Sequence, residues 1–211
     1  MIPKLPEKLI DAEEQILSSL TNYFDKSNSN LISVNILFEG LRLQPIAIRL
    51  FQKLESLSNK CKLVWPDAGA AALAKRDAPE ISEDINTYKD LIIDTDSLEL
   101  EQLVIIAVSP QHYDYDEFES LCSKVKGKII MLNGKLDDPA VGIGSVARER
   151  RKLFTSKWLN TYWLEPLTKG ALIHLYPSNW ILYKITSEGY IQIDNFKEKP
   201  NSEEMFEAFM K

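Results

Sequence analysis

Apolar side chains recur every three to four positions in residues 6–24, where Leu9, Ala12, Ile16 and Leu20 share one helical face. Pro6 suits the first turn of such a helix, where a missing N–H costs nothing. After a polar break, DKSNSN, the period shortens to two. Ile32, Val34, Ile36 and Phe38 alternate along LISVNILFEG and predict a strand. A second helix is expected from Pro45, with Ile46, Leu50, Phe51 and Leu54 on one side. CKLVWPD reads as a short strand ended by Pro66, and AGAAALAKR as a helix whose small side chains let it lie close on a sheet. Residues 77–99 are polar and acidic around a brief DLIIDT, and are expected to be irregular.

QLVIIAVSP is apolar on consecutive positions, the pattern of a central strand covered on both faces. YDYDEFESLCSKV predicts a helix capped by Asp114 or Asp116, and GKIIMLN another buried strand. Strand and helix thus alternate from residue 31 to 132, which implies right-handed crossovers and parallel pairing. The last third differs: TYWLEPL, ALIHLYPSNWILYKIT and YIQIDNF are aromatic β segments. Turn signals at Lys169-Gly170 and Glu188-Gly189 separate them, so antiparallel hairpins are expected. SEEMFEAFMK closes as a short helix. The expected fold is α/β, a Rossmann-like, mainly parallel sheet with helices on both faces, extended by C-terminal antiparallel strands. One domain is expected over 1–211, with the parallel core at 31–158 and the antiparallel extension at 161–196.

Composition narrows the partners. At 211 residues and 45% hydrophobic, the chain can bury a full core without metal or disulfide staples. A net charge of -6 argues against a general nucleic-acid binder, because phosphate affinity needs a positive field. Cys61 and Cys122 lack metal-knuckle or redox spacing, and His112 and His174 are the only histidines. No metal or cofactor is expected. No apolar run approaches the ~20 residues of a membrane span, and the start encodes no targeting segment. A cytoplasmic location follows as the expectation.

The candidate chemistry centres on LNGKLDDPAVGIGSVARERRKLF. Gly142 and Gly144 lie between a strand and a helix, where free backbone N–H groups can hold an anion. The dinucleotide fingerprint lacks its third glycine, and the phosphate loop lacks its Gly-Lys-Ser/Thr ending. A structural turn is therefore the plainer reading. In the following helix Val146, Leu153, Phe154 and Trp158 form an apolar stripe, with Arg148, Arg151 and Lys152 largely elsewhere. Those cations form either a solvated face or a docking face for an acidic partner. Asp67, after a parallel strand, either meets a ligand there or caps the next helix, and the cap is the expected role. Ser109 and Asn133 also end strands. His112, beside Tyr113 and Asp114, has the residue types for acid/base work but no nucleophile motif beside it. Trp163 and Trp180 are expected to pack, or else to mark an interface.

Several segments together resemble a domain-of-unknown-function family of cyanobacteria and chloroplasts. They are LPEKLIDAEEQILSSL, FEGLRLQPIAIRL, WPDAGAAALAKRD, VIIAVSPQHYDYDEFESL, MLNGKLDDPAVGIGSVARERRKLF and YWLEPLTKGALIHLYPSNWILYK. That family includes the low-photosystem-II-accumulation assembly factor and the C-terminal region of a plastid adenylate-kinase-like protein. The resemblance implies a non-enzymatic factor on the cytosolic face of the thylakoid. Its implied partner is a photosystem II subunit or the insertion machinery, with peripheral membrane association. Gly142 and Gly144 would shape the binding loop and Arg148 and Arg151 make the contact, followed by Arg42 and Trp180. The alternative is an enzyme that binds nucleotides or phosphometabolites near Asp67, Ser109 and Asn133, with the Gly142 loop as anion site.

Overall fold

A computed structural model describes residues 3–26, 29–57, 60–94, 101–136 and 144–210. The chain is α/β, with nine strands in one mixed sheet among the described residues. It divides into two compact units, residues 28–33 with 42–159, and residues 1–27, 34–41 and 160–211. Strand β1 (Leu31–Ile36), buried from Ile32 onward, contributes residues to both.

In the first unit, β2 (Cys61–Trp65), β3 (Ile85–Thr87), β4 (Val104–Val108) and β5 (Lys128–Leu132) run in the order β3-β2-β4-β5, with β1 next. The pairs β2–β3, β2–β4 and β4–β5 are parallel, with Val64 opposite Ala107 and Ala107 opposite Met131. All five residues of β4 are buried, as consecutive apolar positions predict. The crossovers are α2 (Leu43–Glu55), α3 (Ala68–Asp77), α4 (Tyr88–Ile93), α5 (Tyr115–Lys124) and α6 (Ser145–Thr155). Ile46, Leu50, Phe51 and Leu54 of α2 are buried on the face their spacing predicts. Val64, Ile105, Ala107, Ile129 and Met131 form a core with Tyr88, Phe118, Phe154 and Trp158 from the α4–α6 side.

The described part of residues 77–99, up to Asp94, corrects the expectation of an irregular excursion. Pro79–Asp84 is a 3-10 helix, and β3 and α4 follow it. Three residues are too few to show a period, which is why β3 escapes pattern reading. Thr87 and Asp90 form a reciprocal capping box: the Thr87 hydroxyl accepts from the Asp90 amide and the Asp90 carboxylate accepts from the Thr87 amide.

The second unit pairs α1 (Leu9–Lys26) with an antiparallel meander of β6 (Leu159–Leu167), β7 (Gly170–Leu175), β8 (Trp180–Thr186) and β9 (Gly189–Phe196). Ala12, Ile16 and Leu20 are buried, whereas Leu9 at the first turn is exposed. Gly170 lets β7 lie close on β8, since a Cβ there would sit 1.7 Å from the Tyr183 carbonyl oxygen. Helix α7 (Ser202–Met210) packs Ala208 against Leu172, Trp180 and Leu182. No helix among the described residues is long and apolar enough to cross a membrane.

Candidate functional site

Helix α6 carries the arginines singled out by the sequence, and the fold gives them different work. Phe154 lies edge-on to Tyr115 and Phe118, and Trp158 stacks on Phe118 at 5.5 Å. These contacts fix which side of α6 faces inward. Arg151 lies on that side, its guanidinium 4.8 Å from the centre of the Tyr115 ring. Its Nη1 is buried without a hydrogen-bond partner among the described residues. Arg151 is therefore a packing cation, held by the ring quadrupole. Arg150 reaches across to α5, where it pairs with Glu119 and lies 3.4 Å from Asp116. Glu119 also accepts from the Tyr115 hydroxyl at 3.0 Å. Burial, then that bond to Glu119, pushes the Tyr115 phenol up to about 12.

Arg148 and Lys152, four residues apart, remain exposed. The apolar stripe expected from Val146, Leu153, Phe154 and Trp158 is corrected: Phe154 and Trp158 are buried, but Val146 is 81% and Leu153 61% exposed. Seven residues apart, Val146 and Leu153 share a face that points away from the core. Gly144 occupies the N-cap position with φ -56, open to any residue, and a Cβ there would meet nothing within 4 Å among the described residues. Gly142 lies outside the described residues.

A second constellation gathers at the carboxyl ends of the parallel strands. Asp67, after β2, accepts the Ala70 amide at 2.9 Å and caps α3. Ser109 and Asn133, after the neighbouring strands β4 and β5, both take positive φ, 49° and 51°. Two non-glycine residues in the left-handed region at adjacent strand ends is an uncommon coincidence. The Ser109 amide donates to the Leu132 carbonyl at 2.7 Å, and the Gln111 side chain donates to both Ser109 oxygens at 2.8 Å. Asn133 is buried. Asp114 accepts the Gln111 amide and so closes the turn before α5, although its side chain does not cap α5 itself. Burial is the main reason its carboxyl rises above the usual range, with Glu117 and Asp67 adding to the rise and His112 opposing it. Tyr88, after β3, is fully buried with no hydrogen-bond partner for its hydroxyl among the described residues. Burial, then Asp114, raises its phenol.

A family described as a domain of unknown function (DUF1995) matches residues 6–207. The chain belongs to the DUF1995 family. No curated protein matches it.

Two further predicted residues stand elsewhere in this DUF1995 chain. Arg42 is exposed at the N-cap position of α2, where its side chain makes no capping bond. Trp180 is buried against His174, ring centres 4.6 Å apart and nearly parallel. It packs, as its size predicts. Sequence reasoning missed Tyr115, Glu119 and Arg150. The i, i+4 spacing of Tyr115 and Glu119 hinted at a shared face, but the partner helix comes 31 residues later and no local signal announces it. It also missed Tyr88, hidden in the segment expected to be irregular. Among the described residues, no cluster of His, Cys, Asp and Glu could hold a metal ion.

Proposed function

We propose that the protein is a non-enzymatic accessory factor that docks components of photosynthetic membrane proteins, in first place photosystem II, through the outer face of α6. The observation that carries this reading is the surface of that helix: Val146 and Leu153 stand largely exposed on one flank and the cations Arg148 and Lys152 on the other, with the exposed Glu149 between them. Apolar side chains flanked by charge on a helix suit an amphipathic, acidic partner segment. Two cations on a chain of net charge -6 also concentrate positive field locally. The photosynthetic partner is supported by the segment resemblance to the family of the photosystem assembly factor. The same reading places the protein in the cytoplasm, peripheral on the cytosolic side of the thylakoid. Purified protein should enrich photosystem II subunits from detergent-solubilised thylakoids, and Arg148→Glu with Lys152→Glu should abolish that enrichment. Equal recovery by the double variant would refute the docking face.

The paired positive-φ residues favour a second reading, a site for a nucleotide or phosphometabolite near Asp67, Ser109 and Asn133. Open α/β sheets bind ligands at the carboxyl ends of their strands. Thermal-shift screening with nucleotides and sugar phosphates tests it, since a ligand of the native state raises Tm. No shift at millimolar ligand would reject it.

A further inference from the structure

The antiparallel unit holds a cavity of about 590 Å³ that neither reading uses. Its floor is written in the strand register. Pro166 stands opposite Ala171 and Ala171 opposite Tyr183, so the three lie side by side on one face of β6, β7 and β8. Leu164, two residues before Pro166, and Tyr190, opposite Ile185, extend the same face. Ala171 is the small residue in the middle, and the depression forms over it. One wall is the segment 4–7, anchored where the Tyr183 hydroxyl donates to the Pro3 carbonyl at 2.7 Å and Gln15 donates to the Lys4 carbonyl at 2.9 Å. Phe38, in the turn after β1, is the opposite ring, with the Leu37 amide tied to the Leu164 carbonyl at 2.8 Å.

We infer that this cavity is a binding site for a small, uncharged, ring-bearing apolar molecule. Its volume falls in the range of about 300–1,000 Å³ typical of small-molecule sites. Three aromatic rings, Phe38, Tyr183 and Tyr190, supply stacking and edge contacts. Phe38 is 47% and Tyr190 51% exposed, so both rings keep apolar area that an occupant would take from water. Among the described residues, the ionic groups of the lining are Lys4 and Glu7, one of each sign and both exposed. They leave no net charge to select an ion, so shape and apolar contact select the ligand. The site belongs to a different compact unit from α6 and stands or falls independently of the docking face.

The test uses the full chain and the uncharged dye Nile red. The expected result is saturable one-to-one binding with a blue-shifted emission. Ala171→Trp, which fills the floor, should weaken binding about tenfold or more. Tyr190→Glu should do the same, while Ile191→Ala, on the other face of β9, should leave it unchanged. Non-saturable dye uptake by the native protein overturns the inference, and so does unaltered affinity in a natively folded Ala171→Trp. Should Ala171→Trp lose its native circular dichroism, Tyr190→Glu decides at a half-exposed position, and retained affinity there overturns the inference.

Discussion

Asp67 accepts the Ala70 amide, so its contribution to stability is that of an N-cap. Asp67→Ala should cost about 1 kcal/mol in urea denaturation, whereas Asp67→Asn, which caps equally well, should stay near the native value. This role was legible because a cap is local, donor and acceptor lying three residues apart. Arg151 was not legible: its place over Tyr115 depends on a ring 36 positions earlier in the chain. Substituting it would disturb packing as well as charge, so it is a poor probe of docking. His174 gives a residue-scale test in pH. Burial lowers its pKa from the ordinary 6.5, against the pull of its bond to Asn160. Above that value folded and unfolded chains both hold it neutral. Below it the unfolded chain takes up the proton and the folded chain resists, so stability falls as pH drops from 6.5 toward the folded pKa. In denaturation curves from pH 7.5 to 5, His174→Gln should show a shallower loss than the native chain. An equal slope would assign the loss to other groups.

At the scale of elements, α6 divides along its length in a way its periodicity did not foretell. Phe154→Ala should cost about 3–5 kcal/mol, since it opens a hole among Tyr115, Phe118 and Trp158. Val146→Ala and Leu153→Ala should each stay within about 0.5 kcal/mol of native, as exposed positions do. Comparable losses in all three would mean that the outer face is covered. The hydrophobic pattern marked the apolar residues of α6 but could not say which would find a partner, because that is decided by α5. The long strands were legible for the opposite reason: consecutive apolar residues in β4 and glycine turns between β6 and β9 are written locally. β3 and α4, three and six residues long, fall below the length at which a period shows. The cavity of the antiparallel unit arises only from cross-strand register, with Ala171 set between Pro166 and Tyr183.

For the whole molecule, membership of the DUF1995 family and the α/β fold agree with the reading of the sequence. Neither says what the protein binds. Docking through α6 of this acidic chain would draw on exposed cations and exposed apolar side chains, and its strongest dependence should be electrostatic. Docking through Arg148 and Lys152 should weaken as salt rises past 0.15 M, where the screening length is about 8 Å. The most direct measurement is affinity capture from solubilised thylakoids, comparing the native chain with Arg148→Glu/Lys152→Glu at matched fold and concentration. Photosystem II subunits should be enriched by the native chain and lost with the double variant. Photosystem subunits absent from the native capture, or recovered equally by both proteins, would contradict docking through α6.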